Sequence, residues 1–178
     1  MIVAFDNTFL TLLLNPGVRL RPNPITHLPT THIRQRMAAL IDGLSTRKDT
    51  LLIPTPALAE VLCTADVNRV LPVLDDVGIL ELAPFDGRSA VELGEMTRRA
   101  VVGGDKRDGS TADWQKIKLD RQIVAIAKAH GASVLYTDDG NQTKFANLGG
   151  LSTVSTWELD LPAKYAQMDI LRLDEDEP

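Results

Sequence analysis

Four acidic residues stand where the surrounding sequence makes a carboxylate costly. Asp6 closes the apolar run Ile2-Val3-Ala4-Phe5. Glu60 lies in a helical pattern whose neighbours three and four positions away, Pro56, Ala57, Cys63 and Thr64, include no basic partner. The helical neighbours of Asp120 three, four and seven residues further on, Ile123, Val124 and Ala127, are all apolar. Asp139, doubled by Asp138, follows a short apolar stretch at 133–137. An ionised carboxylate turned into an apolar face costs several kcal/mol unless positive charge meets it. Four such groups brought together repel one another and favour a shared cation. Oxygen donors alone suit a hard ion, Mg²⁺ or Mn²⁺. The three histidines (His27, His32, His130) and the single cysteine, Cys63, have no zinc-ligand spacing. Each acid has a bland reading when taken alone, Asp6 as a helix N-cap and Glu60 as a solvated surface group among them.

Convergence requires elements that deliver the acids to one edge. Residues 2–5 read as a buried strand, and 7–14 continue as a short helix. Residues 31–44 carry apolar side chains at helical spacing (Ile33, Met37, Leu40, Ile41, Leu44), with Gly43 near the end. A second strand spans 51–53. Thr55 then reads as an N-cap and Pro56 as the first residue of the Glu60 helix. A helix over 66–76 is crossed by Pro72. A third strand spans 78–82, and a helix capped by Asp86 runs to Val102. Residues 116–130 form the Asp120 helix, with Leu119, Ile123, Ile126 and Ala127 on its apolar side and Gly131 as its stop. Strands at 133–137 and 151–154 flank a helix that starts after Gly140. Alternating short strands and helices predict a three-layer α/β/α domain over 1–178 with a five-stranded parallel sheet. In such sheets the carboxyl edge of the strands binds ligands. Asp6 and Asp139 both end strands.

Bulk properties narrow the function classes. A 178-residue chain buries about 70% of its unfolded surface and needs no disulfide or structural metal to fold. One cysteine excludes an internal disulfide and points to a reducing, cytoplasmic compartment. No apolar run approaches the roughly 20 residues of a membrane span. The opening MIVAFDNTFLTLLL lacks a basic n-region and is interrupted by Asp6, so it reads as strand and helix rather than signal peptide. Net charge is −5, yet 97–131 hold eight Lys/Arg against four Asp. A polyanionic substrate therefore suits this local face, although a solvated charged surface has the same composition. Lys116, Lys118 and Arg121 are the candidate phosphate contacts, with structural pairing the alternative for Arg121. Residues 15–30 form a Pro-rich loop with Arg19 and Arg21; 103–110 form a polar loop; 173–178 form an acidic tail. Trp114 reads either as a base-stacking ring or as core.

Four short motifs carry a resemblance: IVAFDNT at the start, TPALAEVL around Glu60, LDRQIVAIAKAHGA around Asp120, and LYTDDGN around Asp139. In this order and spacing the chain resembles the PIN-domain family, with 15–30 as extra material. The resemblance implies a divalent-metal-dependent ribonuclease that leaves a 5′-phosphate and a 3′-hydroxyl. It places Asp6, Glu60, Asp120 and Asp139 at the acidic catalytic and metal positions, with Asp138 as the alternative to Asp139. Thr8 and Thr137 match the supporting hydroxyl positions. Many small members resemble VapC toxins, so the implied partners are RNA, an antitoxin protein and a second copy of the chain. Two other readings compete: a non-catalytic RNA- or partner-binding domain of the same fold, and a phosphatase with Asp6 as nucleophile. The phosphatase pattern wants a second Asp two residues on, where this chain has Thr8. A dinucleotide fold lacks its G-x-G-x-x-G.

Overall fold

A computed structural model describes residues 1–20 and 22–165. Arg21 and the acidic tail at 173–178 lie outside the described residues. The sheet contains β1 (Ile2–Phe5), β2 (Thr50–Pro54), β3 (Leu80–Ala83), β4 (Val134–Tyr136) and β5 (Ser152–Val154), all parallel, in the order β3-β2-β1-β4-β5. The helices are α1 (Asn7–Leu14), α2 (Ile33–Arg47), α3 (Thr55–Leu62), α4 (Val67–Asp76), α5 (Gly87–Val102), α6 (Trp114–Ala129) and α7 (Gly140–Leu148), followed by a short 3₁₀ turn at Thr156–Glu158. Among the described residues, no helix is long and apolar enough to cross a membrane.

Strand alternation builds the layers. Val3, Phe5, Leu51, Ile53 and Tyr136 face one way and pack with side chains of α1, α2, α3 and α4. Ala4, Leu52 and Leu135 face the other way, against α5, α6 and α7. Both faces are thus covered, which accounts for the apolar runs of the inner strands β1, β2 and β4, while the edge strands β3 and β5 carry Glu81, Ser152 and Thr153. The rings of Phe5, Phe9 and Tyr136 meet pairwise with centroids 5.4 Å apart. Each such pair adds about 0.5–1.5 kcal/mol beyond its burial. This cluster fixes α1 and β4 against β1, and the residues that immediately follow those strands are Asp6 and Thr137.

The sheet order places a topological switch between β1 and β4. From β1 the chain moves outward through β2 to β3, then returns to add β4 and β5 on the other side. Crevices open at the carboxyl ends of strands at such a switch. Phe5 pairs with Tyr136 in register, so Asp6 and Thr137 lie side by side at this edge.

Several boundaries differ from the sequence expectation. α2 runs to Arg47 with Gly43 inside it, and Lys48 ends it in the left-handed region at φ 55°. β3 sits two residues later than expected because 78–79 form the turn that enters it. Thr55 is the first residue of α3 rather than its cap, since Pro54 already holds the pre-helical position. On α6 the deepest side chain of the first turns is Ile117, while Leu119 is half-buried.

Candidate active site

Asp6 has no exposed surface. It caps α1 by accepting the Phe9 N–H at 2.8 Å, and its second oxygen accepts the Thr137 hydroxyl at 2.6 Å. Thr137 Oγ1 in turn accepts the Asp139 N–H at 3.0 Å. The N-cap reading of Asp6 and its place among the acids are therefore both realised. Burial pushes the Asp6 carboxyl up to about 7, against the Thr137 and Phe9 hydrogen bonds, with Asp138 and Asp139 adding repulsion.

The doubled acid divides its work. Asp138 accepts both the N–H and the hydroxyl of Thr156, each at 2.8 Å, and so holds the turn after β5. Burial holds its carboxyl above the ordinary range, with Thr156 opposing. Asp139 caps α7, with Oδ1 accepting the N–H groups of Asn141 (2.8 Å) and Gln142 (3.1 Å). Its other oxygen meets the Lys116 amine at 2.9 Å.

Lys116 also reaches both oxygens of Asp120, at 3.0 and 3.1 Å. The two residues are one turn apart on α6, so they share a side of the helix. Asp120 is 2% exposed, and the side-chain amides of Gln142 and Asn141 lie 3.4 and 3.5 Å from it. Burial raises the Asp120 carboxyl, Asp139 raises it further, and Lys116 opposes both. Asp139 ends below its ordinary range: burial pushes it up, but Lys116 and the two α7 N–H groups outweigh that. Lys116 is likewise held above its ordinary value, because its two carboxylates overcome the cost of burying it. Glu60 is half-buried on the second turn of α3. Burial raises its carboxyl, Lys116 lowers it, and Asp120 and Asp139 raise it again. It is thus electrostatically coupled to the other acids without a hydrogen bond to them.

Among the described residues, no three carboxylates, imidazoles or thiols are drawn together as a ready-made metal-ligand set. The reason is visible in the contacts. The Lys116 ammonium stands between Asp120 and Asp139, and Asp6 is turned to Thr137 and Phe9. The donor chemistry nevertheless fits a hard cation. Two carboxylates, Asp120 and Asp139, bracket a point that already holds one positive charge, Glu60 is coupled to it electrostatically, and all three would offer only oxygen.

One expected phosphate contact is corrected, to the structural pairing that was its alternative. Arg121 is 1% exposed and pairs with Asp108 and the Lys106 carbonyl. Its guanidinium carbon lies 4.9 Å from the Phe145 ring centroid and 5.8 Å from that of Trp114, so Trp114 belongs to this packing. Arg121 ties the 103–110 loop to the core and is closed to substrate. Lys118 is exposed and does not line the cleft at the acids. Lys116 is at the site, but bound to acids. The sequence reading missed Gln142, Asn141 and Thr156, which orient the carboxylates. Ser155 with Glu158 forms a capping box, and its S-x-x-E spacing is a sequence signal for the turn that carries Thr156.

Two expectations follow. Replacing Arg121 with Met leaves Asp108 without its cation and loosens the loop, so denaturant melts should show a loss of about 2–4 kcal/mol. A residue that merely touched substrate would leave the melt unchanged. The second concerns pH. Between about 4 and about 7 folded Asp6 keeps a proton that the unfolded chain has released, so its contribution is full below pH 4 and is lost as pH rises to 7. The window is worth about 4 kcal/mol. In EDTA, the stability difference between Asp6→Asn and wild type should grow in the variant's favour across that window and level off above it.

No protein-family model matches the chain, and no curated protein matches it. Solved structures do match. A chain of VapBC2 from Rickettsia felis, bound to a DNA fragment from their promoter, superposes with a TM-score of 0.58 at 18% identity, covering 87% of this chain and 98% of that one. VapBC-1 from nontypeable Haemophilus influenzae gives 0.53 at 12% identity, covering 88% and 98%. DNA-bound VapBC from Salmonella typhimurium gives 0.52 at 18% identity, with the same coverage. At these identities the likeness is one of architecture: the chain has the PIN-like α/β/α fold.

Proposed function

We propose that the protein is a divalent-metal-dependent ribonuclease that acts in the cytoplasm as the toxin of a toxin–antitoxin pair. The observation that carries this reading is the Lys116 amine held 2.9–3.1 Å from Asp120 and Asp139 at the sheet's switch point. A pair of carboxylates that recruits a lysine across 23 positions of chain is a site built around positive charge.

Glu60, Asp120 and Asp139 would hold Mg²⁺ or Mn²⁺, with Asp6 joining once it loses its proton. When bound, the ion supplies Lewis acidity toward a phosphodiester and eases deprotonation of water. The chain's own residues do the rest. Thr137 bridges Asp6 and the Asp139 backbone, so those two acids keep a fixed separation. Gln142 and Asn141 orient Asp120. Asp138, engaged by Thr156, fixes the wall beside Asp139. Thr8 lines the same cleft and supports the acids from α1. Lys116, the amine at the site, would be the residue to meet a phosphate oxygen of the substrate if an ion took over the charge of its two carboxylates.

The similar solved chains come from VapBC complexes, which supports an antitoxin protein as partner; a homodimer is the further assembly proposed. RNA labelled at its 5′ end, incubated with the protein in Mg²⁺ or Mn²⁺, should give fragments ending in a 3′-hydroxyl, with new 5′-phosphate ends. Fragments carrying 2′,3′-cyclic phosphate would overturn the mechanism. A phospho-aspartate trapped at Asp6 would favour the phosphatase reading.

A further inference from the structure

The cleft at the acids has a second wall. It encloses about 730 Å³, within the roughly 300–1,000 Å³ of small-ligand sites. Lys116 and Asp139 line it together with Arg19, Pro22 and Pro24 of the 15–30 segment, and Trp157 is also on the lining. We propose that this segment and Trp157 form a nucleotide-binding wall that takes single-stranded RNA by one phosphate at Arg19 and one base on Trp157. The inference rests on the ribonuclease reading and names the substrate form for that site.

Charge points to the phosphate. Among the described residues, Arg19 and Lys116 are the two cations on the lining. Lys116 is held by Asp120 and Asp139, whereas Arg19 is exposed and has no hydrogen bond or ion pair among the described residues. A polyanion entering a cleft walled by acids meets Arg19 as its available counter-charge. Trp157 is the one aromatic ring on the lining. It is half-buried, and the turn that carries it is held twice, by the Ser155–Glu158 capping box and by Thr156 on Asp138. A half-buried ring carried on a turn held in that way suits stacking, and base–aromatic stacking tolerates any base. A base in a duplex has both faces covered, so only an unpaired base can lie on it.

The wall is seated rather than loose. Leu20 packs against the core on the α1 side. The Asn15 carboxamide accepts the Gly17 N–H at 3.2 Å, and the Asn23 carboxamide accepts the Ile25 N–H at 2.7 Å. Pro22 and Pro24 fix their own φ angles. A preshaped wall loses little entropy when RNA binds.

The test is binding of a short fluorescein-labelled RNA of mixed sequence, single-stranded and annealed to its complement, in EDTA and in Ca²⁺ over a salt series. Cleavage in Mn²⁺ is scored separately, and thermal melts confirm that each variant is folded. Wild type should prefer the single strand. Arg19→Ala should weaken binding about 3- to 10-fold and lower the salt slope by about 0.7, the value of one phosphate contact on a single strand; Arg19→Lys should restore the slope. Trp157→Leu should weaken binding at least about 5-fold with the slope unchanged. An Arg19→Ala variant with wild-type affinity and slope overturns the wall, and if wild type still cuts RNA the ribonuclease reading survives it. Arg19-dependent binding without cleavage in Mn²⁺ sustains the wall and removes the nuclease. No RNA bound by wild type in either condition overturns the wall and leaves a protein segment as the better occupant of the cleft.

Discussion

Replacing Lys116 with Met should destabilise the metal-free protein by about 1–3 kcal/mol and tighten Mn²⁺ binding about tenfold. Breaking a buried pair by removing one partner costs about 3–5 kcal/mol. Lys116 keeps 48% of its side-chain surface exposed, so solvent screening reduces that figure. The cost falls on Asp120, which is left facing Asp139 across a gap without a cation. Asp120 then protonates more readily, and the variant's stability should fall more steeply than wild type's as pH rises through the weakly acidic range. Added Mn²⁺ answers the same need. Because the metal no longer displaces an ammonium, a tenfold tighter Kd adds about 1.4 kcal/mol of stabilisation at saturation. Thermal melts with and without Mn²⁺, paired with calorimetric titration, read both effects. Equal metal affinity in variant and wild type would mean that Lys116 and the cation do not share a place.

Asp120→Asn should lower RNA cleavage at least about 10³-fold while leaving the fold as stable as before, or more stable by about 1 kcal/mol. Losing one charged ligand removes several kcal/mol of transition-state stabilisation. Stability moves the other way because burial and Asp139 both disfavour the Asp120 carboxylate. The carboxamide has nearly the same shape, and Lys116 keeps its contact with Asp139. Denaturant midpoints and initial cleavage rates separate the two effects. A variant that is markedly less stable would show that the Lys116–Asp120 pair outweighs the repulsion.

How much of this was legible in the sequence depended on the range of the interaction. Asp6, Asp120 and Asp139 could be picked out because each interrupts an apolar pattern within a few residues of itself. The parallel order followed from short strands alternating with helices, and Asp86 announced its own helix by capping it. Local signals also misled. Gly43 suggested a helix end, but it is accommodated within α2, and the true end is Lys48 in the left-handed region. Leu119 scored as apolar surface, yet the packing direction of α6 selects Ile117.

Partnerships across long separations were invisible. Arg121 looked like a phosphate contact because Asp108, which neutralises it, comes from a loop whose path the sequence does not reveal. Lys116 had one legible partner, Asp120 four residues on, but its second, Asp139, comes only after a helix, a turn and a strand. The 15–30 segment read only as a Pro-rich loop, since nothing local foretold that Leu20 would pack on the core or that Arg19 and Trp157 would line one cleft. The paired acids 138 and 139 were ambiguous for the same reason. Thr156, which engages Asp138, lies beyond the next helix and strand.

The most direct measurement is cleavage of a mixed single-stranded RNA pool by wild type in Mn²⁺, beside the same reaction in EDTA and beside Asp120→Asn in Mn²⁺. A metal-dependent ribonuclease built on these acids cuts the pool in the first reaction and leaves it intact in the other two. Cutting that persists in EDTA or in the variant, or an intact pool in the first reaction, would contradict the account.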